Sequence, residues 1–191
     1  MKIRNFFFLS LPREGSRPLL AEVQCLVGEY SAFKTPRRTS DGYPIQRLFL
    51  LCAVLEKKLG ITLSSREVFL NVVGGLKVND PDSDLAVSIA IISSYSNRIV
   101  CPNTVFLGEL GLNGEVRGGK GIIAKSQEAF KMGFKKIIVP KQSLSSSKNK
   151  FPVDVGFKYD DIIPVVDLEE ALKMYYYYYY YYYYVCVFFN H

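Results

Sequence analysis

The chain has 191 residues, with 24 Lys and Arg against 18 Asp and Glu for a formal net charge of +6, and 49% of it is hydrophobic. Setting aside Tyr175 to His191, a tail that holds ten consecutive tyrosines, leaves an apolar share of about 45%, ordinary for one globular domain. Collagen-like, wholly disordered and disulfide-framework chains are excluded, and no clean run of about 20 apolar residues marks a membrane span.

The opening MKIRNFFFL has a basic start but an apolar run too short for a signal peptide, so residues 1–13 are read as a poorly defined segment. Pro18 to Val27 alternates apolar and polar residues and predicts a strand. A basic loop, Phe33 to Gly42, follows. Ile45, Leu48, Phe49, Cys52, Leu55 and Leu59 then recur at steps of three and four, an amphipathic helix stopped by Gly60. Glu67 to Val73 predicts a second strand, closed by Gly74-Gly75. Asp80-Pro81 opens a second helix, where a proline suits the first turn and carboxylates suit the positive end of the dipole. Its body, Leu85 to Ser94, is apolar nearly all round and is expected to be buried. Thr104 to Leu112 and Gly114 to Arg117 predict paired strands about the turn at Asn113-Gly114. A third helix is expected from Ile122 to Met132, ending at Gly133, and a central strand from Lys135 to Pro140. Ser143 to Lys150 reads as a solvated loop, Val165-Val166 as a short strand and Asp167 to Leu172 as a capped helix. The result is one α+β domain over residues 14–174, followed by a low-complexity tail, 175–191. That tail reads as a repeat product rather than a stacking surface, and as an aggregation hazard.

Cys25, Cys52, Cys101 and Cys186 lie far apart with no CxxC pair, which argues for buried reduced thiols and against a zinc site. The lone histidine, His191, leaves no Ser-His or Cys-His catalytic arrangement in the body of the chain. No glycine-rich phosphate loop opens the chain, so no nucleotide is expected by that route.

Several segments carry a more specific signal. They are Arg17 to Gln24, Pro36-Arg37-Arg38, Leu51 to Lys57, Asn71 to Gly75, Asp84-Leu85-Ala86, Gly108 to Arg117, and Gly133 to Lys136. In that order and spacing they resemble the C-terminal Lon-protease-like domain of the RadA/Sms DNA repair family, over roughly residues 15–172. The resemblance implies a Lon proteolytic-domain-like fold, of the ribosomal protein S5 domain 2-like kind, and assembly into hexameric rings. It also implies a role in homologous recombination, in which an ATPase part drives branch migration on DNA and the Lon-like part serves as scaffold and assists DNA binding. Full-length members carry a zinc finger and a RecA-like ATPase. Neither is in this chain, which therefore looks like the C-terminal portion of such a protein or a truncated gene model. No cofactor is expected here; ATP, magnesium and zinc belong to the missing part. Cytoplasm and organelle both stay open as compartments, and no membrane partner is expected.

Lon peptidases use a serine nucleophile activated by a lysine base. Aligning Asp80-Pro81 with the Lon segment Asp-Gly-Pro-Ser-Ala-Gly through its proline puts Asp82 at the nucleophile position. Lys125, 43 residues later, then falls at the position of the base. An aspartate facing Lys125 would hold it as an ammonium, the opposite of what a general base needs, and a carboxylate attacks amides poorly. Ser83 points about 100° away on a helix and replaces the nucleophile only if the helix start shifts by one residue. An inactive protease scaffold is therefore preferred, with a divergent Lon-type serine peptidase using Ser83 and Lys125 as the alternative.

Nine basic residues lie between Asn113 and Lys150, opposed by Glu115 and Glu128 alone. Such a patch would bind DNA without sequence preference and with steep salt dependence. Lys120 and Lys125 are its candidate contacts, although Lys125 is better read as a solvated helix residue or as an ion-pair partner of Asp82. Arg37 and Arg38, in a loop behind Pro36, offer forked guanidiniums to phosphate or to a neighbouring subunit's carboxylates. Gly118-Gly119-Lys120-Gly121 looks like a phosphate loop but lacks the spacing and the Lys-Ser/Thr ending of one, and reads instead as a flexible connection into the third helix.

Overall fold

A computed structural model describes residues 6–10, 18–30, 35–98, 100, 103–119, 121–145 and 161–174. Its centre is a mixed seven-stranded sheet built from β1 (Phe6–Ser10), β2 (Leu19–Tyr30), β3 (Arg38–Asp41), β4 (Arg66–Val72), β5 (Thr104–Phe106), β8 (Lys136–Pro140) and β9 (Ile162–Val165). The strand order is β3-β4-β2-β1-β5-β8-β9. β2 runs antiparallel to both β1 and β4, while β3–β4, β1–β5, β5–β8 and β8–β9 are parallel. A separate ribbon pairs β6 (Glu109–Leu110) with β7 (Val116–Arg117). The architecture is mixed α/β and compatible with the α+β expectation. Phe6–Ser10, which the sequence placed outside the domain, pairs with β2 on one side and β5 on the other.

Among the described residues the helices are α1 (Ile45–Leu59), α2 (Asp84–Ser96), α3 (Ile122–Lys131) and α4 (Lys141–Ser145), with a further helical segment at 168–174. α1 follows its periodicity: Leu48, Leu51, Cys52, Val54 and Leu55 are buried, and Gly60 closes it in the left-handed conformation, φ 65°. α2 is buried on every side from Asp84 to Ser93, so it occupies the middle of the core and shows almost no amphipathic stripe. Period-two alternation splits the sheet between two clusters. Ile137 and Val139 of β8 pack with Val105, Ile122 and Ala129 under α3, whereas Ile138 joins Phe106, Leu85 and Ile89 in the larger cluster with α1 and α2. On β2 and β4, Cys25, Leu70 and Val72 face that larger core while Leu26 and Asn71 are exposed.

Two expectations shift locally. The helix expected to open at Asp80 begins with a 3₁₀ turn, Pro81–Ser83, before α2 proper; Asp80 caps it by accepting from the Asp82 N–H. The single strand expected over Thr104 to Leu112 is broken at Leu107-Gly108, because the Gly108 N–H goes to the Asp82 carbonyl and its own carbonyl receives the Leu85 N–H. Part of the expected loop at Ser143 to Lys150 is helical as α4, and the rest lies outside the described residues, as do Cys101, Cys186 and the tyrosine tail.

Candidate functional site

The 3₁₀ turn, the start of α3 and the Gly118-Gly119 loop converge under the sheet. Asp82 and Lys125 are each 1% exposed, yet both carry ionisable groups. The Lys125 Nζ lies 2.5 Å from the Asp82 Oδ2 and 2.5 Å from the Asp80 Oδ2, and the Gly119 N–H donates to the Asp82 Oδ1 at 2.7 Å. An ammonium buried this deeply persists because two carboxylates compensate its desolvation. Burial pushes the Asp82 carboxyl above its ordinary value; the Lys125 charge opposes this, and the neighbouring Asp80 adds to it.

Gly119 has a specific reason to be glycine. A Cβ there would sit 2.6 Å from the Asp82 Oδ1 and 2.9 Å from its Cγ, so only a residue without a side chain brings its N–H to the carboxylate. The glycine cluster that looked like a phosphate loop thus binds an anion, but an internal one. Gly121, at φ 88°, turns the chain into α3.

The residues read from the sequence fall as follows. Asp82 and Lys125 meet directly. Ser83 is fully buried, and its hydroxyl donates to the Asp80 carbonyl at 2.5 Å. The Arg37 side chain is 71% exposed, paired with Glu67 at 2.9 Å and stacked over Phe69. Arg38 donates to the Leu63 carbonyl and lies over the Phe49 ring, on the opposite side of the edge strand. Lys120 is outside the described residues. Of the basic stretch, Arg117, Lys131, Lys135 and Lys141 are exposed.

A second ionic cluster, at the first residue of α2, was not read from the sequence. Asp84 is 0% exposed and accepts from the Tyr43 hydroxyl at 2.6 Å, from the Leu110 N–H at 3.1 Å, and from the forked Arg47 guanidinium. Hydrogen bonding to Asp84 raises the Arg47 pKa, and burial beside the same carboxylate pushes the Tyr43 phenol up. The available signal was a carboxylate opening a helix too apolar to leave it in water, which demands a cation elsewhere. Tyr43, Arg47, Leu50, Asp80, Asp84 and Glu109 border a cavity of about 380 Å³ beside the first cluster. Among the described residues no group of three or more His, Cys, Asp or Glu side chains is placed to hold a metal ion. No described helix is long and apolar enough to cross a membrane.

Comparison with known proteins adds two findings. A family model described as Subunit ChlI of Mg-chelatase matches residues 52–143, the stretch that contains Asp80, Asp82, Asp84, Gly119 and Lys125 but neither Tyr43 nor Arg47. Proteins named DNA repair protein RadA are similar over more of the chain. The one from Streptococcus pneumoniae (strain ATCC BAA-255 / R6) is 42% identical over 160 residues, 84% of this chain and 36% of its own length. That of Synechocystis sp. (strain ATCC 27184 / PCC 6803 / Kazusa) is 46% identical over 128 residues, 67% of this chain and 25% of its own. That of Rickettsia bellii (strain RML369-C) is 45% identical over 128 residues, 67% and 28%. The chain therefore spans about a quarter to a third of the length of these relatives.

Proposed function

Because this chain is a homologue of proteins named DNA repair protein RadA, at 42–46% identity, we propose that it serves DNA repair and recombination as a proteolytically inactive, Lon-like scaffold. In this reading it organises a hexameric ring and adds an auxiliary surface for DNA. ATP, magnesium and zinc would be handled by parts of the relatives outside the matched length.

The observation that carries the reading is the Asp82–Lys125 contact. At the position where a Lon-type peptidase would present a serine hydroxyl to a lysine amine, a carboxylate occupies the ammonium, and a second carboxylate, Asp80, saturates it further. No free amine remains to take a proton from a nucleophile. Ser83, with its hydroxyl committed to the Asp80 carbonyl and no exposure, supports the same conclusion. DNA contact is proposed for Arg37, Arg38 and Lys120. Lys125, buried between carboxylates, offers nothing to a phosphate.

The test is the mass of the chain in solution, with and without duplex DNA, at two salt concentrations. A hexamer whose DNA binding falls steeply with salt is expected, since each phosphate contact releases counterions. A monomer indifferent to DNA refutes the scaffold reading. Peptide hydrolysis that disappears in Ser83→Ala would refute the inactive-protease part on its own.

A further inference from the structure

We propose that Lys125 and Asp82 form an intramolecular isopeptide bond, with Asp80 relaying the protons. The bond is independent of the DNA repair reading.

The four groups are placed as such a reaction needs them. The Lys125 Nζ is 2.5 Å from the Asp82 Oδ2. With a carboxyl C–O bond of about 1.2 Å, the Asp82 Cγ lies within about 3.7 Å of the amine nitrogen. Reacting atoms in a near-attack arrangement are about 3–3.5 Å apart, so a small rotation of either side chain suffices. The Gly119 N–H, 2.7 Å from the Asp82 Oδ1, points at the oxygen that gains negative charge when the nitrogen adds to Cγ. The Asp80 Oδ2, 2.5 Å from the same Nζ, is positioned to take a proton from the amine and return it to the departing Oδ2.

The balance is simple. The ammonium of Lys125 and the carboxylate of Asp82 give one amide and one water: the N–C bond forms, the Cγ–Oδ2 bond breaks, and two of the three ammonium protons leave with that oxygen. Nothing is oxidised or reduced. Both partners are 1% exposed, so bulk water does not compete for the carbonyl or hydrolyse the product. The upward push of burial on the Asp82 carboxyl favours its taking a proton from the ammonium, and Asp80 takes a second as the nitrogen adds to Cγ. Side chains held in one place by the fold convert an otherwise unfavourable condensation into a unimolecular step.

Mass spectrometry of the full chain, purified and then denatured, tests this directly. The expected intact mass is one water below that of the sequence, with a branched tryptic peptide joining the Asp82 and Lys125 segments and no cleavage after Lys125. The Lys125→Arg and Asp82→Ala variants should each show the full mass. In Asp80→Asn, folded by circular dichroism, the cross-linked fraction should fall at least several-fold. Full mass with cleavage after Lys125 in the unaltered chain overturns the proposal. So does loss of water mapped to a succinimide at Asp41-Gly42 with no branched peptide, and unaltered cross-linking in Asp80→Asn overturns the relay.

Discussion

Replacing Gly119 by alanine places a Cβ 2.6 Å from the Asp82 Oδ1 and 2.8 Å from its Oδ2. Gly119 is not among the residues with positive φ, so on backbone grounds alone alanine should stabilise the chain by about 0.4–1 kcal/mol through the unfolded state. The contact reverses that sign. Asp82 cannot withdraw, because it is buried and held by Lys125, so the loop must retreat and the N–H to carboxylate bond is lost. A hydrogen bond to a charged group contributes about 1.5–3 kcal/mol. The net expectation is a loss of about 1–2 kcal/mol, which lowers Tm by roughly 2–8 °C for a domain of this size. Urea unfolding should show a lower midpoint at unchanged slope. Gly118→Ala is the control: its Cβ would overlap the Ser143 hydroxyl, the end of a side chain that can rotate away, so the cost should be small. A Gly119→Ala chain as stable as the original, or more stable, would refute the reasoning.

Three further outcomes are expected. Asp84→Leu strands the Arg47 guanidinium, the Tyr43 hydroxyl and the Leu110 N–H, and should cost about 3–5 kcal/mol in denaturant unfolding; adding Arg47→Leu should recover much of it. Glu56 is partly desolvated, which would raise its pKa, but accepting the Ser64 and Leu63 N–H groups lowers it below 4.5 overall. Its contribution should therefore be fully present above pH 4.5 and fade as pH falls through the lower folded value, so the stability gap to Glu56→Gln should close in acid. Cys25 and Cys52 are buried and free, with thiols pushed up by burial. A maleimide in native buffer should leave both unlabelled on peptide mapping until denaturant is added.

What was legible in the sequence was what local pattern encodes. The α1 helix and its glycine stop, β4 and the α3 helix all lie within two residues of their predicted ends, because periodicity and caps are local; the buried body of α2 was legible too, although α2 begins at Asp84 rather than at the expected opening, Asp80. The Asp82–Lys125 meeting was legible only through a family alignment, since no local rule joins residues 43 apart. The Asp84–Arg47 cluster was not read, because Arg47 sits in an amphipathic helix where an arginine ordinarily faces water. Its cation is required only once Asp84 is known to be 0% exposed. Gly119 was read as a flexible connection because glycine marks both loose chain and close approach, and the Asp82 carboxylate decides between them. β1 was missed since five residues of strand beside a basic start look like a frayed terminus until β2 and β5 are found on either side.

The position of β1 also sets a timetable for the growing chain. Its antiparallel partner β2 emerges within a few residues, but its parallel partner is reached only at Phe7 against Val105. Until that segment leaves the ribosome, one side of β1 presents unpaired backbone groups, an open template for other strands. The β3-β4-β2 half can meanwhile assemble on α1, whereas the β5-β8-β9 half has no place to dock until β1 accepts it. Completing the sheet therefore requires a long-range docking step, of the kind that slows folding and leaves strand edges open to misassociation in the meantime.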